Sequence, residues 1–380
     1  MKYERGIIQI LTAVIGLSWG CTGEKLLDGP VPDGPESPVE VRFFTSAVPT
    51  RTEPASTGTD TLLTGANVRL YVYRQKTGVK DTIALKDYTV NTETSKVQSL
   101  TPAKVGDTAG SEMILPSGIF GFYAVSTNST TEPVPEFHTG NAEDGVPSAT
   151  SGTVTVRNGV DYLYAANKDH KIAFGTETAD VSLNFRHVGT QVQLTIKFGS
   201  GAHAGTAEAA KDFSLATVSI QPTSETNATM RLYDGQILFD GNTTGGSPTE
   251  VGNDDTKLKA MTVVRSGEAS GTTPADQVAT YHMLPLAKST SQKMKVKVVI
   301  ENLQVGDKTG THTYTGSLDA SAGWLAGTSN RYTLTLSGTE IKFSTVTVVP
   351  WESGTGGEVG DITHTDNLTP SGESGSESNN

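Results

Sequence analysis

Apolar and polar residues alternate in short runs along most of the chain. At 67–73, Val68, Leu70 and Val72 share one face of a two-residue period. Similar alternation recurs at 181–185, 192–198, 213–220, 294–300, 332–336 and 343–349. A period of two is the mark of a half-buried β-strand. Residues 39–48 read as one more strand, with Val39, Val41 and Phe43 alternating until Phe44 breaks the pattern. Residues 119–125 are almost continuously apolar and predict a buried strand, and 112–115, 237–239, 261–264 and 279–284 add shorter ones. Runs at 153–156 and 161–165 flank Asn158 and Gly159, which predicts a hairpin with an Asn-Gly connection. Only 202–211, with its Ala and Glu, hints at a helical turn. Many short strands separated by turn residues predict an all-β protein built from β-sandwiches.

Composition agrees with that pattern and excludes several functions. The chain carries about 55 threonines, well above average usage, with 41 glycines and 17 prolines in 380 residues. A helical bundle would be rich in Ala, Leu, Glu and Lys instead. The net charge of −12 argues against a nucleic-acid partner, which needs clustered Lys and Arg. A single cysteine rules out an intramolecular disulfide framework and a Cys-rich zinc site.

That cysteine, Cys21, ends a distinctive N-terminal stretch. Lys2 and Arg5 precede a mostly apolar run from Gly6 to Trp19, too short to span a bilayer comfortably but suited to a signal peptide. Gly20 followed by Cys21 resembles a bacterial lipoprotein cleavage site, in which the thiol carries a diacylglycerol. Ser18 and Trp19 depart from the usual residues there. Residues 1–20 are thus expected to be a lipoprotein signal peptide, with outer-membrane lipid as the partner of Cys21. Residues 21–38, with four prolines between Pro30 and Pro38, read as an extended tether. Residues 353–380 are acidic and Gly/Ser-rich, and are expected to be a disordered tail.

No catalytic signature stands out. There is no Gly-x-Ser-x-Gly elbow, no phosphate loop and no His-Glu-x-x-His. The seven histidines are far apart, and His187 and His282 read as satisfied polar groups rather than ligands. Asp254 and Asp255 read as a polar turn without the spaced oxygens of a calcium loop. The expectation is a protein that is not an enzyme and uses no metal or cofactor. Three Asp-Thr-x triplets, at Thr61, Thr82 and Thr108, look like the O-glycosylation signal of exported Bacteroides-type proteins.

Three blocks together resemble the fimbrillin family of Bacteroidota, subunits of type V pili. The most specific runs from Trp324 to Leu336, through Ile341, to Val346–Trp351: a Gly-x-x-x-x-Tyr strand leading to a Pro-Trp end. Phe185 and His187 resemble the family's mid-chain Phe-x-His element, and Thr50-Arg51-Thr52 its early Thr-Arg-Thr stretch. The resemblance covers roughly residues 40–352.

The resemblance implies two tandem transthyretin-like β-sandwich domains, at 39–180 and 181–352. It also implies a route: display as an outer-membrane lipoprotein at the cell surface, cleavage by an Arg-directed protease, and removal of the first strand. A neighbouring fimbrial subunit then fills the slot by donor-strand exchange, which builds an adhesive fimbria. On this chain the removable strand maps to Val39, Val41, Phe43 and Phe44. The cleavage loop extends to 51, with Arg51 as first choice and Arg42 as second. One departure bears on the subunit's place. The family's donor strand comes from the C-terminal region, where this chain offers only Val359, Ile362 and Leu368 as buriable anchors. A tip, accessory or anchor subunit fits at least as well as a stalk subunit. The surface ligand is not identified by sequence. A competing reading, a glycan-capturing surface lipoprotein that does not polymerise, would need an exposed aromatic platform; aromatics are only 7% of the chain.

Overall fold

The computed structural model describes residues 38–45, 62–75, 82–91, 97–104, 106, 108–137, 146–337, 340–350 and 367–368. Their regular secondary structure is almost entirely β-strand. The first ten strands are β1 (Val39–Thr45), β2 (Asn67–Arg74), β3 (Thr82–Val90), β4 (Gln98–Pro102), β5 (Met113–Leu115), β6 (Gly118–Ser126), β7 (Thr153–Thr155), β8 (Leu163–Ile172), β9 (Thr178–Leu183) and β10 (Arg186–His187). All but β7 join one nine-stranded sheet, in the order β10-β8-β6-β2-β3-β4-β1-β5, with β9 on β1.

This sheet folds over on itself. Strands β6 and β1 lie four places apart in the order, so a flat sheet would separate them by roughly 19 Å at about 4.8 Å per step. Yet the Phe43 ring of β1 sits 5.5 Å from Phe122 of β6 and 5.3 Å from Tyr88 of β3. The two layers enclose a core that includes Val41, Phe43, Leu70, Phe122 and Leu183. Strands β2 and β6 are buried on both faces, which explains their nearly unbroken apolar runs. Val68, Leu70 and Val72 enter this first core, while Tyr71, Tyr73 and Tyr123 enter a second.

The remaining strands are β11 (Thr190–Phe198), β12 (Ala202–His203), β13 (Thr217–Ile220), β14 (Thr229–Arg231), β15 (Ile237–Leu238), β16 (Lys259–Ala260), β17 (Thr262–Ser266), β18 (Asp276–Met283), β19 (Lys293–Val305), β20 (Lys308–Asp319), β21 (Thr328–Ser337), β22 (Glu340–Pro350) and β23 (Asn367–Leu368). A six-stranded sheet, β17-β18-β11-β21-β22-β23, packs on a second sheet, β12-β19-β13-β16, with β20 beside β19. Between them Leu194, Ile196, Val296, Val298, Tyr332 and Leu334 form a third core. Trp324 is 1% exposed within it; its Nε1 donates to the Tyr332 hydroxyl (2.9 Å), which donates to the Asp319 carbonyl (2.7 Å). The helical hint is realised as α1, Ala207–Lys211, capped by Thr206 accepting from the Ala209 N–H at 3.1 Å.

Two expectations need correction. Asn158 and Gly159 do form a turn, with Gly159 at φ +84°, but no hairpin. Strand β7 pairs with β14, whereas β8 pairs with β6 and β10. The Asn158 side chain makes long-range bonds instead. It donates to the Thr223 carbonyl (2.7 Å) and to Glu225 (3.0 Å), and it accepts from the Leu284 N–H (2.9 Å). The Gly159 N–H donates to the His282 carbonyl at 2.8 Å. The turn therefore faces the second half of the chain and not its own flanking strands. The division expected at 180 falls inside β9. That strand pairs with β1, and Val181, Leu183 and Phe185 lie in the first core. Its alternation looks like the start of a new set; its partner, more than a hundred residues upstream, assigns it to the first sheet.

A buried polar cluster joins the two parts. Asp161, just before β8, accepts from His187 Nδ1 at 2.7 Å and from Asn128 Nδ2 at 3.3 Å. His282 Nδ1 of β18 lies 3.7 Å from the same carboxylate. Burial alone would raise the Asp161 pKa. The two imidazoles and the hydrogen bonds from His187 and Asn128 outweigh it and bring the carboxyl down to about 2.

Two stability measurements follow. Asn158→Ala removes the acceptor of a buried N–H and is expected to cost about 2 kcal/mol or more in urea unfolding. Asp161→Asn removes a carboxylate held below the ordinary value of about 3.9, equivalent to roughly 2 kcal/mol. Because the folded-state value is depressed, that contribution is complete above about pH 4 and vanishes as pH falls towards 2. The gap between wild type and Asp161→Asn should therefore be fully developed just above pH 4 and narrow as pH falls from 4 towards 2.

Candidate functional site

Strand β1 stands apart from the others in how it is held. It opens the described chain, yet it lies inside the sheet with neighbours on both edges. On one side Phe43, Phe44 and Thr45 pair antiparallel with Leu100, Ser99 and Gln98 of β4. Along the same side Val39, Glu40 and Val41 pair with Leu115, Ile114 and Met113 of β5. On the other side Glu40 to Thr45 run parallel to Thr178 to Leu183 of β9.

The local sequence explains the fit. Val39, Val41, Phe43 and Thr45 point inward and are at most 1% exposed. Burying each apolar side chain is worth about 1.5–3 kcal/mol. The Phe43 ring meets Tyr88 and Phe122 edge-on, which adds aromatic contact energy to the area buried. The outward residues contribute less. Arg42 donates to Glu40 at 2.9 Å, but both side chains are well exposed, and such pairs are worth about 0–1 kcal/mol. Phe44 shares their outward parity and is half-buried.

The charges around this face alternate in sign. Burial and the neighbouring Glu40 push Glu112 up from the ordinary carboxyl value, while Lys86 and Arg42 oppose that shift. Lys86 is itself bonded to the Ser111 carbonyl and to Ser111 Oγ. Burial raises the Tyr88 hydroxyl strongly, with Glu112 adding to it. Arg42 and Glu40 are thus the part of this charge lattice that β1 supplies.

The other sequence-predicted sites scatter. Cys21, Arg51 and Thr61 lie outside the described residues. Arg42 is exposed but sits mid-strand, paired with Asp180 of β9 and flanked by Val41 and Phe43, which pair with β5 and β4. Thr82 opens β3 opposite Tyr73 of β2, and Thr108 is exposed between β4 and β5. In the tail expected to lack structure, Asn367 and Leu368 form a two-residue strand against Lys342 and Ile341 of β22. The open edge of β22 provides the backbone groups for it. Among the described residues, no group of three or more His, Cys, Asp and Glu is placed to hold a metal ion. No helix among them is long and apolar enough to cross a membrane.

Sequence reasoning missed the Asp161–His187–His282 cluster, because its members are separated by 26 residues or more and follow no ligand spacing. It also missed the parallel pairing of β1 with β9, for which no local signal exists.

Several solved structures are similar to this chain. One is a candidate cell adhesion protein from Bacteroides uniformis, at 17% identity and a TM-score of 0.47, covering 84% of this chain and 100% of that one. A second, from Bacteroides fragilis, has 16% identity and a TM-score of 0.48 over 85% of this chain and 100% of that one. A fimbrial assembly protein from Parabacteroides distasonis has 13% identity and a TM-score of 0.40 over 83% and 96%. No curated protein matches. The sequence profile described as fimbrillin-like matches residues 50–351, most of the chain and nearly all of its described strands, and the chain belongs to that fimbrillin-like family.

Proposed function

We propose that this chain is a structural or tip/accessory subunit of a cell-surface fimbria, supporting adhesion, and that β1 is its removable strand. In this reading Cys21 is lipidated in the outer membrane, and cleavage after Arg51 releases residues up to that point. A strand from a neighbouring subunit then enters the vacated slot. The observation that carries the reading is that β1 is held on both edges and buried along one face, although it lies at the beginning of the described residues.

The physics favours replacement over an empty slot. Withdrawing β1 leaves rows of unpaired N–H and C=O groups on β4, β5 and β9, beside an apolar groove. Both costs are relieved by adding another extended strand. Arg42 is shielded by its pairing, because a protease must draw its substrate into an extended cleft. That leaves Arg51 as the better cleavage site. Thr108 is exposed, as O-glycosylation at an Asp-Thr-x triplet requires.

A chain that begins after Arg51 tests the reading. It should unfold less cooperatively than the full protein or assemble into higher oligomers. A synthetic peptide covering residues 38–46 should restore a single sharp thermal transition. The same peptide with Phe43→Ala should restore it poorly, since a buried Phe→Ala change costs about 3–5 kcal/mol. Equal melting of the shortened and full chains would refute the slot. A mass measurement on fimbria-associated protein addresses processing: a mature N-terminus at Cys21 in assembled material would exclude cleavage.

A further inference from the structure

Strand β1 turns Glu40, Arg42 and Phe44 away from the core, and each has a neighbour on both edges of the slot. Those neighbours are not alike. Glu40 lies opposite Ile114 of β5 and Thr178 of β9. Phe44 lies opposite Ser99 of β4 and Ser182 of β9. Arg42 lies opposite Asp180 of β9. On its other edge, the register that sets Val41 against Met113 continues by one residue to Glu112. Only the middle outward position is therefore flanked by charge, and both flanking residues are acidic.

These two acids belong to the slot and stay when β1 leaves. Asp180 is exposed and makes no hydrogen bond among the described residues. One oxygen of Glu112 is buried without a hydrogen-bond partner. Arg42 favours the ionised form of Glu112 and Glu40 opposes it. Lys86 helps as well, but it is tied to Ser111 and remains with the slot. Arg42 is the one cation that β1 brings. It bonds Glu40 of its own strand at 2.9 Å, so that pair departs together.

Opposite charges on neighbouring strands stabilise a sheet, and like charges side by side destabilise it. A strand entering with an acid at the middle position would set a third carboxylate between Asp180 and Glu112. Such rim charges select between partners more than they add affinity. The chain's own residues 352–380 hold six acidic residues and no Lys or Arg. A second copy of this chain would therefore offer a tail of the wrong charge.

We propose that Asp180 and Glu112 form a charge-selective clasp on the rim of the slot, whose occupant is an extended strand from a different subunit with Lys or Arg at the place of Arg42, between two buried apolar residues. The clasp rests on the strand-exchange reading and adds the chemistry of the partner.

The test uses the full chain carrying a site for a sequence-specific protease between residues 46 and 61, so that the nicked protein starts with β1 in place. Fluorescent peptides of residues 38–46 then compete for the slot. The Arg42 peptide should enter best, Arg42→Gln about threefold more weakly and Arg42→Glu about tenfold more weakly. In the Asp180→Lys protein the tenfold gap should shrink to about threefold or less, and about 0.5 M NaCl should compress it in the wild type. A peptide of residues 352–380 should not enter. Equal entry of the three short peptides, an unchanged gap in Asp180→Lys, or entry of the tail peptide would overturn the clasp and leave the slot standing. Entry of no peptide would overturn strand exchange, and the partner assignment with it. Hydrogen exchange of the uncut chain reads the charge coupling separately. Arg42→Glu should speed exchange of the β1 amides, and adding Asp180→Lys should slow it again; equal rates in all three proteins would overturn the coupling.

Discussion

The first sheet depends on one strand being present between β9 on one side and β4 and β5 on the other. Buried backbone N–H and C=O groups must find partners, and β1 supplies them to three strands at once. It also supplies Phe43, which bridges the two layers of the folded-over sheet. Yet β1 and β9 are more than a hundred residues apart in sequence, and a parallel pair has no short connection. The rest of the sheet fixes the slot, and β1 completes it. Pairing of this kind does not depend on covalent continuity. What favours the resident strand is its covalent attachment, which raises its effective concentration at the slot. Cutting the linker removes that advantage and places the resident strand on the same footing as a strand from outside.

The two-sided burial of β2 and β6 answers a different demand. Their outer faces carry Tyr71, Tyr73, Tyr123 and Val125, which would be exposed without a cover. The cover comes from the three-stranded sheet β15-β14-β7 and from Leu284, and so largely from the second half of the chain. Asn158 and Asp161 reinforce that junction with polar contacts to Leu284, Thr223 and His282. Exchange of β1 would therefore take place in a sheet whose opposite end is anchored by other means.

Parts of this were legible in the sequence, and the rest was hidden for physical reasons. Runs with clear inward and outward sides were read nearly to their ends: 67–73 became Asn67–Arg74, 119–125 became Gly118–Ser126, and 294–300 extended to Lys293–Val305. Strand β3 was not read, because Ile83 and Leu85 are exposed while Tyr88 and Val90 are buried, which blurs its faces. Strand β20 was missed because only Tyr314 and Leu318 of its twelve residues enter the core. At the candidate site, the composition of β1 was visible but its partners were not, since pairing across the chain leaves no local trace. Asn158-Gly159 is the instructive case: the turn formed, and tertiary hydrogen bonds rather than turn chemistry decided which strands it joined.

The slot also constrains what could fill it, and this bears on the subunit's position. Its inward positions come at every second residue and include one large ring, as Val39, Val41 and Phe43 show. A donor must repeat that alternation. In the tail, Val359 and Ile362 are an odd number of residues apart, so an extended chain would point them to opposite faces. Ile362 and Leu368 share a parity, but the two positions of that parity between them are the polar His364 and Asp366. The better alternation in this region, within 340–350, is already engaged as β22 between β21 and β23. On the strand-exchange reading, a subunit with a well-formed acceptor slot and no comparable donor can end a polymer but cannot extend it in both directions. On that reading, this asymmetry favours a tip, accessory or anchor place over a stalk place.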